Sequence, residues 1–136
     1  MTAVLVDSCV LLDIFLEDPV WGGWSRSALV SATDSSPVVV SPVVYAEVSA
    51  SFRQQAALDL ALPRSEFRRE PLPWTAAFQA GQAFAAYRRR GGARTAMLAD
   101  FLIGAHASVA GYRLLTRDAK RFRASFPDLE LIAPEA

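Results

Sequence analysis

Short apolar runs alternate along this chain with segments of helical spacing. Residues 3–6 (AVLV), 38–40 (VVV) and 114–115 (LL) are continuous apolar runs without polar alternation. Such runs are typical of strands that are buried on both faces of a parallel sheet. Residues 129–132 (LELI) alternate instead, which predicts an edge strand.

The segments between these runs carry helix start and stop signals. Ser41 followed by Pro42 is typical of an N-cap with proline at the first helical position, and it predicts a helix to about Leu60. A helix from about Thr75 to Arg90 is predicted to end at the following glycines. The other predicted helices are a long one at about 95–111 and short ones at 10–15, 24–32 and 119–125. Strands that alternate with helices predict one α/β domain over residues 1–136, with a mostly parallel sheet.

Composition excludes several classes of protein. The 136 residues include 14 basic and 14 acidic side chains, and 52% are apolar, which excludes a disordered chain and does not favour a protein that coats nucleic acid. One cysteine and one histidine can form neither an internal disulfide nor a zinc site. The N-terminus lacks a basic segment and residues 71–87 contain two prolines, so we expect a cytoplasmic protein without a membrane span.

Three long segments contain a single charged residue each, and it is always an acid. Residues 1–12 contain only Asp7, residues 35–52 only Glu47, and residues 95–112 only Asp100. Moving an isolated carboxylate out of water costs on the order of several kcal/mol, unless the carboxylate is paired, protonated or bound to a metal. Asp7 could simply cap the next helix. Glu47 lies well inside its helix with no base three or four residues away, and Asp100 falls in a helix body if Thr95 is the N-cap.

A fourth acid, Asp118, follows the strand at 114–115. It could be an ordinary helix N-cap beside Arg117 and Lys120. However, the carboxyl ends of parallel strands form one edge of a sheet, so Asp118 and Asp7 are expected at the same edge. Four converging carboxylates repel one another unless a cation joins them, and an all-oxygen set suits Mg²⁺ or Mn²⁺. Such ions are typical of phosphoryl chemistry.

These acids lie in four segments that resemble the acidic motifs of PIN-domain ribonucleases. The segments are VLVDS (4–8), SPVVYAEV (41–48), ADFLIGA (99–105) and LLTRDAKRF (114–122). Within that family, the compact length of the chain most resembles the VapC toxins of toxin–antitoxin pairs. The four segments match in order and spacing over nearly the whole chain. The resemblance implies a three-layer α/β/α sandwich and an endoribonuclease that depends on Mg²⁺ or Mn²⁺.

The same resemblance implies roles for particular residues and partners. By position, the metal-holding and catalytic residues would be Asp7, Glu47, Asp100 and Asp118, with Ser8 and Thr116 orienting ligands or water. The implied partners are an RNA substrate, a cognate antitoxin whose tail blocks the groove, and a second copy in a homodimer. Cys9 stands where relatives often carry Ser or Asn; it should not affect metal binding but could make the site sensitive to oxidation.

Several other residues have competing interpretations. Arg117 and Arg121 flank Asp118 and are candidates for RNA contact. Residues 88–90 (RRR) either contact phosphate or complement the dipole at a helix end. His106 is expected to be a packed or surface helix residue, and a nucleophilic pair with Cys9 is disfavoured because nothing brings the two together. Residues 21–24 (WGGW) match no motif.

Three alternatives to an RNase remain open. The chain could be a catalytically inactive PIN-like scaffold that binds a partner through its aromatic surface. A phosphorylated receiver domain is disfavoured, because the adjacent acid pair after the first strand is missing and Lys120 follows Asp118 too closely. DNA could replace RNA as the substrate, since the proposed site recognises phosphates rather than sugars.

Overall fold

A five-stranded parallel sheet forms the centre of the protein in the computed structural model, which describes residues 2–92 and 98–135. The strands are β1 (Val4–Val6), β2 (Val38–Val40), β3 (Phe67–Arg69), β4 (Arg113–Leu115) and β5 (Leu131–Ile132). Their order is β3-β2-β1-β4-β5, and every neighbouring pair is parallel. The described helices are α1 (Ser8–Phe15), α2 (Gly22–Ser35), α3 (Pro42–Ser49), α4 (Gln55–Ala61), α5 (Trp74–Arg89), α6 (Leu98–Ala110) and α7 (Lys120–Arg123). The predicted α/β/α fold with a mostly parallel sheet is confirmed.

The core lies around the three central strands. Every residue of β1 and β2 is buried, as the continuous apolar runs predict for strands covered on both faces. A second, smaller cluster joins α5 to α6, where Ala76 and Ala80 pack with Phe101 and Ala105. This cluster packs α5 against α6, the helix that carries Asp100, while Ile103 and Ala107 of α6 belong to the core around the sheet.

The predicted helix from Pro42 to Leu60 is wrong, because the chain forms two helices there. The first ends at Ser49, whose hydroxyl donates to the Ala46 carbonyl, and the second begins at Gln55. Between them Phe52 packs edge-on against Phe15, with ring centroids 5.6 Å apart. Placing this ring against α1 requires the chain to turn out of the helix, a tertiary effect that helical spacing alone does not reveal.

Strand β3 was missed by the sequence patterns. It lies at an edge of the sheet and buries only Phe67, while Arg68 is exposed, so it has no apolar run to mark it. The predicted helix ends at Gly91 and Gly111 agree with the structure, where both glycines have positive φ, +77° and +73°. The predicted start of the third long helix near Thr95 lies outside the described residues.

The remaining helix boundaries differ from the predictions by a few residues. Helix α1 begins at Ser8, because Asp7 caps it, and α2 extends beyond the predicted 24–32 at both ends. Helix α7 covers only Lys120–Arg123 of the predicted 119–125. In the ranges 2–92 and 98–135, no helix is long and apolar enough to cross a membrane.

Candidate active site at the carboxyl ends of the strands

Asp7 is the buried centre of the site. It directly follows β1, and its Oδ1 accepts a 2.8 Å hydrogen bond from the Ser8 backbone N–H at the start of α1. Its Oδ2 accepts the Thr116 hydroxyl at 2.7 Å, and its side chain is fully buried. Asp7 is therefore a helix cap, as one interpretation of the sequence had it, but its second oxygen faces a neighbouring strand end.

Arg121 brings three of the four acids together. Its guanidinium lies between Asp7, with which its Nη2 forms a very short ion pair, and Asp100, whose Oδ1 is 2.6 Å from its Nη1. The Nε of Arg121 is 3.3 Å from Asp118 Oδ2, although this contact lacks the alignment of a hydrogen bond. The end of β1, α6 and the loop after β4 thus each contribute one carboxylate around one positive group.

Glu47 joins the site through Ser8. The Ser8 hydroxyl donates to Glu47 Oε1 at 2.8 Å, which links α3 to the first turn of α1. Glu47 also acts on Asp100 through its charge. All four predicted acids therefore belong to one electrostatic cluster, three of them around Arg121 and Glu47 at its side.

Thr116 fixes the loop that carries Asp118. Its hydroxyl donates to Asp7 and accepts the Asp118 backbone N–H at 3.0 Å. Since Thr116 is fully buried at the end of β4, these two bonds hold the loop against the end of β1. Ser8 and Thr116, the two predicted supporting residues, are each bonded to a predicted metal-holding acid.

Asp100 is an acid of this cluster whose proton affinity is raised. Burial raises the pKa of Asp100 above its ordinary value, the nearby Arg121 charge opposes this shift, and the charges of Asp7, Glu47 and Asp118 add to it. This cluster contains four carboxylates and one guanidinium, so the site contains more negative charge than Arg121 neutralises.

Cys9 lies at the edge of this cluster. Its thiol donates to Asp7 Oδ2 at 3.2 Å and lies 3.6 Å from the Thr116 hydroxyl. Burial, together with the Asp7 charge, raises the pKa of Cys9 to about 12. Because the thiolate is the reactive form, the structure argues against the predicted sensitivity to oxidation.

The donor set fits a hard divalent cation, although the side chains are not arranged around one. Within residues 2–92 and 98–135, no group of three acidic, His or Cys side chains has a geometry that could hold a metal ion as it stands. The reason is visible in the ion pairs, because the Arg121 guanidinium fills the space between Asp7, Asp100 and Asp118. The cluster of acids thus holds a positive charge with carboxylate oxygens, which are the ligands that Mg²⁺ and Mn²⁺ prefer.

Asp13 is a structural part of the site that the sequence patterns missed. It is buried in α1 and accepts the Ser25 hydroxyl and the Arg117 Nε, both at 2.7 Å. The Arg117 guanidinium also lies over the Trp21 ring, 5.8 Å from its centroid. Arg117, a candidate for RNA contact, is therefore held between α1 and α2. An acid inside the apolar run 10–16 (VLLDIFL) was the available signal, but it falls one residue beyond the first acid-only segment.

Two arginines at the end of α5 stack on aromatic rings, and Arg90 also donates to the Ser125 hydroxyl at 3.5 Å, beside the cavity that Asp100 and Arg121 line. The guanidinium of Arg88 lies over Phe84 and that of Arg90 over Tyr87. His106 is fully buried, with its Nε2 3.8 Å from Glu70 Oε1, which agrees with the prediction of a packed residue.

Comparison with known proteins places these residues in context. The family model for the PIN domain matches residues 4–126. A chain of VapBC2 from Rickettsia felis, described as bound to a DNA fragment from the promoter, matches with a TM-score of 0.74 and 17% identity, covering 98% of this chain and 99% of that one.

Two further solved structures give similar values. A chain of VapBC-1 from nontypeable Haemophilus influenzae has a TM-score of 0.72 and 15% identity, with 96% of this chain and 97% of that one covered. A chain of a toxin–antitoxin complex from Klebsiella pneumoniae has a TM-score of 0.69 and 22% identity, with 97% and 98% covered. No curated protein sequence matches the chain significantly. At these sequence identities, the structural matches show a shared fold and nothing more.

Proposed function

Starting from the fact that this chain belongs to the PIN domain family, we propose that it is an endoribonuclease that depends on Mg²⁺ or Mn²⁺. We further propose that it is the toxin of a type II toxin–antitoxin pair and acts in the cytoplasm. The observation that carries the proposal is the convergence of Asp7, Asp100 and Asp118 on one positive group at the carboxyl ends of the strands.

In this proposal, the four acids and their two hydroxyl partners divide the work. Asp7, Asp100 and Asp118 would hold the cation, with Glu47 beside them. Ser8 and Thr116 keep Glu47 and Asp7 in place, since each donates a hydrogen bond of 2.8 Å or less to its carboxylate. A bound divalent ion would activate water and stabilise the charge on a phosphodiester. The protein supplies the rigid, buried frame around it, anchored by fully buried Asp7.

Cleavage of RNA by the purified protein tests the activity. A pool of structured RNAs is incubated with wild type, with and without Mn²⁺, and with the Asp7→Asn and Asp100→Asn variants. Asp34→Asn is the matched control, because Asp34 is an exposed acid on α2. We expect each site variant to lose at least about 100-fold in rate, the upper range for the loss of a supporting partner of a metal site. Equal cleavage rates for wild type and both site variants would contradict the proposal. A matched DNA pool tests whether RNA is the substrate.

The proposed partners follow from the similar structures and from the surface of α5. One similar structure is described as a toxin–antitoxin complex. On α5, Trp74 is 91% exposed and Phe78 68% exposed, an unusual position for two large rings. We expect a small antitoxin to co-purify from the native host and light scattering to detect a homodimer.

An inactive scaffold is the second candidate function. It is favoured by one observation, that Arg121 already neutralises part of the acidic cluster. A scaffold predicts no effect of Mn²⁺ on the melting temperature, whereas a cation site stabilises the fold by mass action.

A further inference from the structure

The Arg121 side chain is bound as a cation inside the acidic cluster. It reaches Asp7, which is fully buried, together with Asp100 and Asp118. An arginine in an ordinary ion pair contacts one acid, whereas Arg121 contacts acids from three separate elements. Arg121 therefore occupies the position that the carboxylates make most favourable for positive charge.

The fit of the guanidinium is incomplete in two respects. Its Nε is buried and, among the described residues, has no hydrogen-bond partner, despite lying 3.3 Å from Asp118. Its single charge also faces three carboxylates, and the charge of Glu47 acts on one of them, Asp100. The Nη1 and Nη2 of Arg121 donate hydrogen bonds to Asp100 and Asp7, so the buried Nε is the part of the guanidinium that the cluster leaves unsatisfied. A compact ion of higher charge would neutralise this cluster better.

Arg121 also has space into which it could move. It borders a cavity of about 260 Å³ that Tyr87, Asp100, Lys120 and Ser125 also line. Helix α7 is a single short turn, and the Arg121 side chain is 30% exposed. The side chain can therefore turn into this cavity, away from buried Asp7 and out of the space between the three acids, without unfolding the sheet edge.

We infer that Arg121 is an internal competitor of the divalent cation, which binds only when the guanidinium leaves the space between Asp7, Asp100 and Asp118. The inference rests on the proposed function for the identity of the ion. Two cations cannot occupy the same space, so metal binding is weakened by the fraction of molecules in which Arg121 lies inside the cluster. Arg121 thus sets the cation concentration at which the protein becomes active and stabilises the acids when no metal is bound.

Calorimetric titration of the full chain with Mn²⁺ tests this inference. The proteins are wild type, Arg121→Gln, Arg121→Lys and the control Arg123→Gln, which changes an exposed arginine on the same helix. We expect Arg121→Gln to bind Mn²⁺ about 10-fold more tightly than wild type, as for a competitor that is in place about nine-tenths of the time. Arg121→Lys is expected to fall between them, because an ammonium group is a point charge that cannot contact three acids as a planar guanidinium does. Arg123→Gln should bind like wild type.

Thermal melting in EDTA and in Mn²⁺ accompanies each titration. Arg121→Gln is expected to melt lower than wild type in EDTA and to gain more from Mn²⁺, which a merely structural role would not produce. If Arg121→Gln does not fold, Arg121→Lys decides the question. Mn²⁺ affinity that is unchanged or weaker in the folded Arg121 variants overturns the inference. Failure of all four proteins to bind Mn²⁺ overturns both the inference and the proposed metal dependence, whereas tighter binding without RNA cleavage refutes the proposed function alone.

Discussion

Cys9 offers a chemical test of the environment around Asp7. It is the only cysteine of the chain, so any thiol label reports this position alone. Burial and the Asp7 charge raise its pKa from the ordinary 9.0 to about 12. At pH 8, the thiolate fraction then falls from roughly one in ten to roughly one in ten thousand, since each pKa unit is a factor of ten. Because only the thiolate reacts, we expect alkylation about 1000-fold slower than in the unfolded chain.

The assay compares iodoacetamide labelling of the native protein and of the protein in denaturant, both at pH 8 in EDTA, by mass spectrometry. The Asp7→Asn variant removes the neighbouring charge and should label faster than wild type while remaining slower than the unfolded chain. Two results would contradict this prediction: native Cys9 reacting at nearly the unfolded rate, or Asp7→Asn slowing the reaction. Either result would mean that Cys9 does not lie in a buried, negative environment beside Asp7.

Three further predictions concern stability. Asp13→Asn leaves the Arg117 guanidinium without its carboxylate and should lower the free energy of unfolding by about 2 kcal/mol, measured by urea titration; no change would mean that this pair does not anchor the loop after β4. Burial raises the pKa of Asp100, so its ionisation costs stability as pH rises through the folded value. In EDTA, the melting temperature of Asp100→Asn minus that of wild type should therefore increase as the pH rises from 4 to 7. A difference that does not change with pH would contradict this prediction. Burial lowers the pKa of His106, and the Glu70 charge opposes this shift. The free energy of unfolding should therefore fall as the pH is lowered below the ordinary histidine pKa of 6.5. In His106→Gln, urea titration should show a smaller fall.

The four acids could be found from the sequence because each lies in a region where any charge is exceptional. Asp7, Glu47 and Asp100 each stand alone in a long uncharged segment. Parallel strands then bring Asp7 and Asp118 to one edge of the sheet, which is a property of the fold class. The absence of bases from these segments also predicted that the acids would need a cation from elsewhere.

The role of Arg121 could not be predicted in the same way. Residues 117–123 (RDAKRFR) offer several bases, and the sequence does not say which one turns inward. That choice depends on how α7 docks, with Phe122 buried in the core and Arg123 exposed. Strand β3 escaped for a related reason, because only one of its three residues is buried. In both cases, contacts between distant parts of the chain decide what local patterns leave open.

We propose that Asp7, Asp100 and Asp118 act as one cation-binding unit in RNA cleavage. The most direct test is the Mn²⁺ dependence of single-turnover RNA cleavage by the three single Asp→Asn variants and the Asp7→Asn, Asp100→Asn double variant. Residues that act as a unit are strongly non-additive, so the double variant should lose little more rate than either single variant. Wild-type cleavage should rise with Mn²⁺ and then saturate. Cleavage that is independent of Mn²⁺, or losses that simply multiply in the double variant, would contradict the claim.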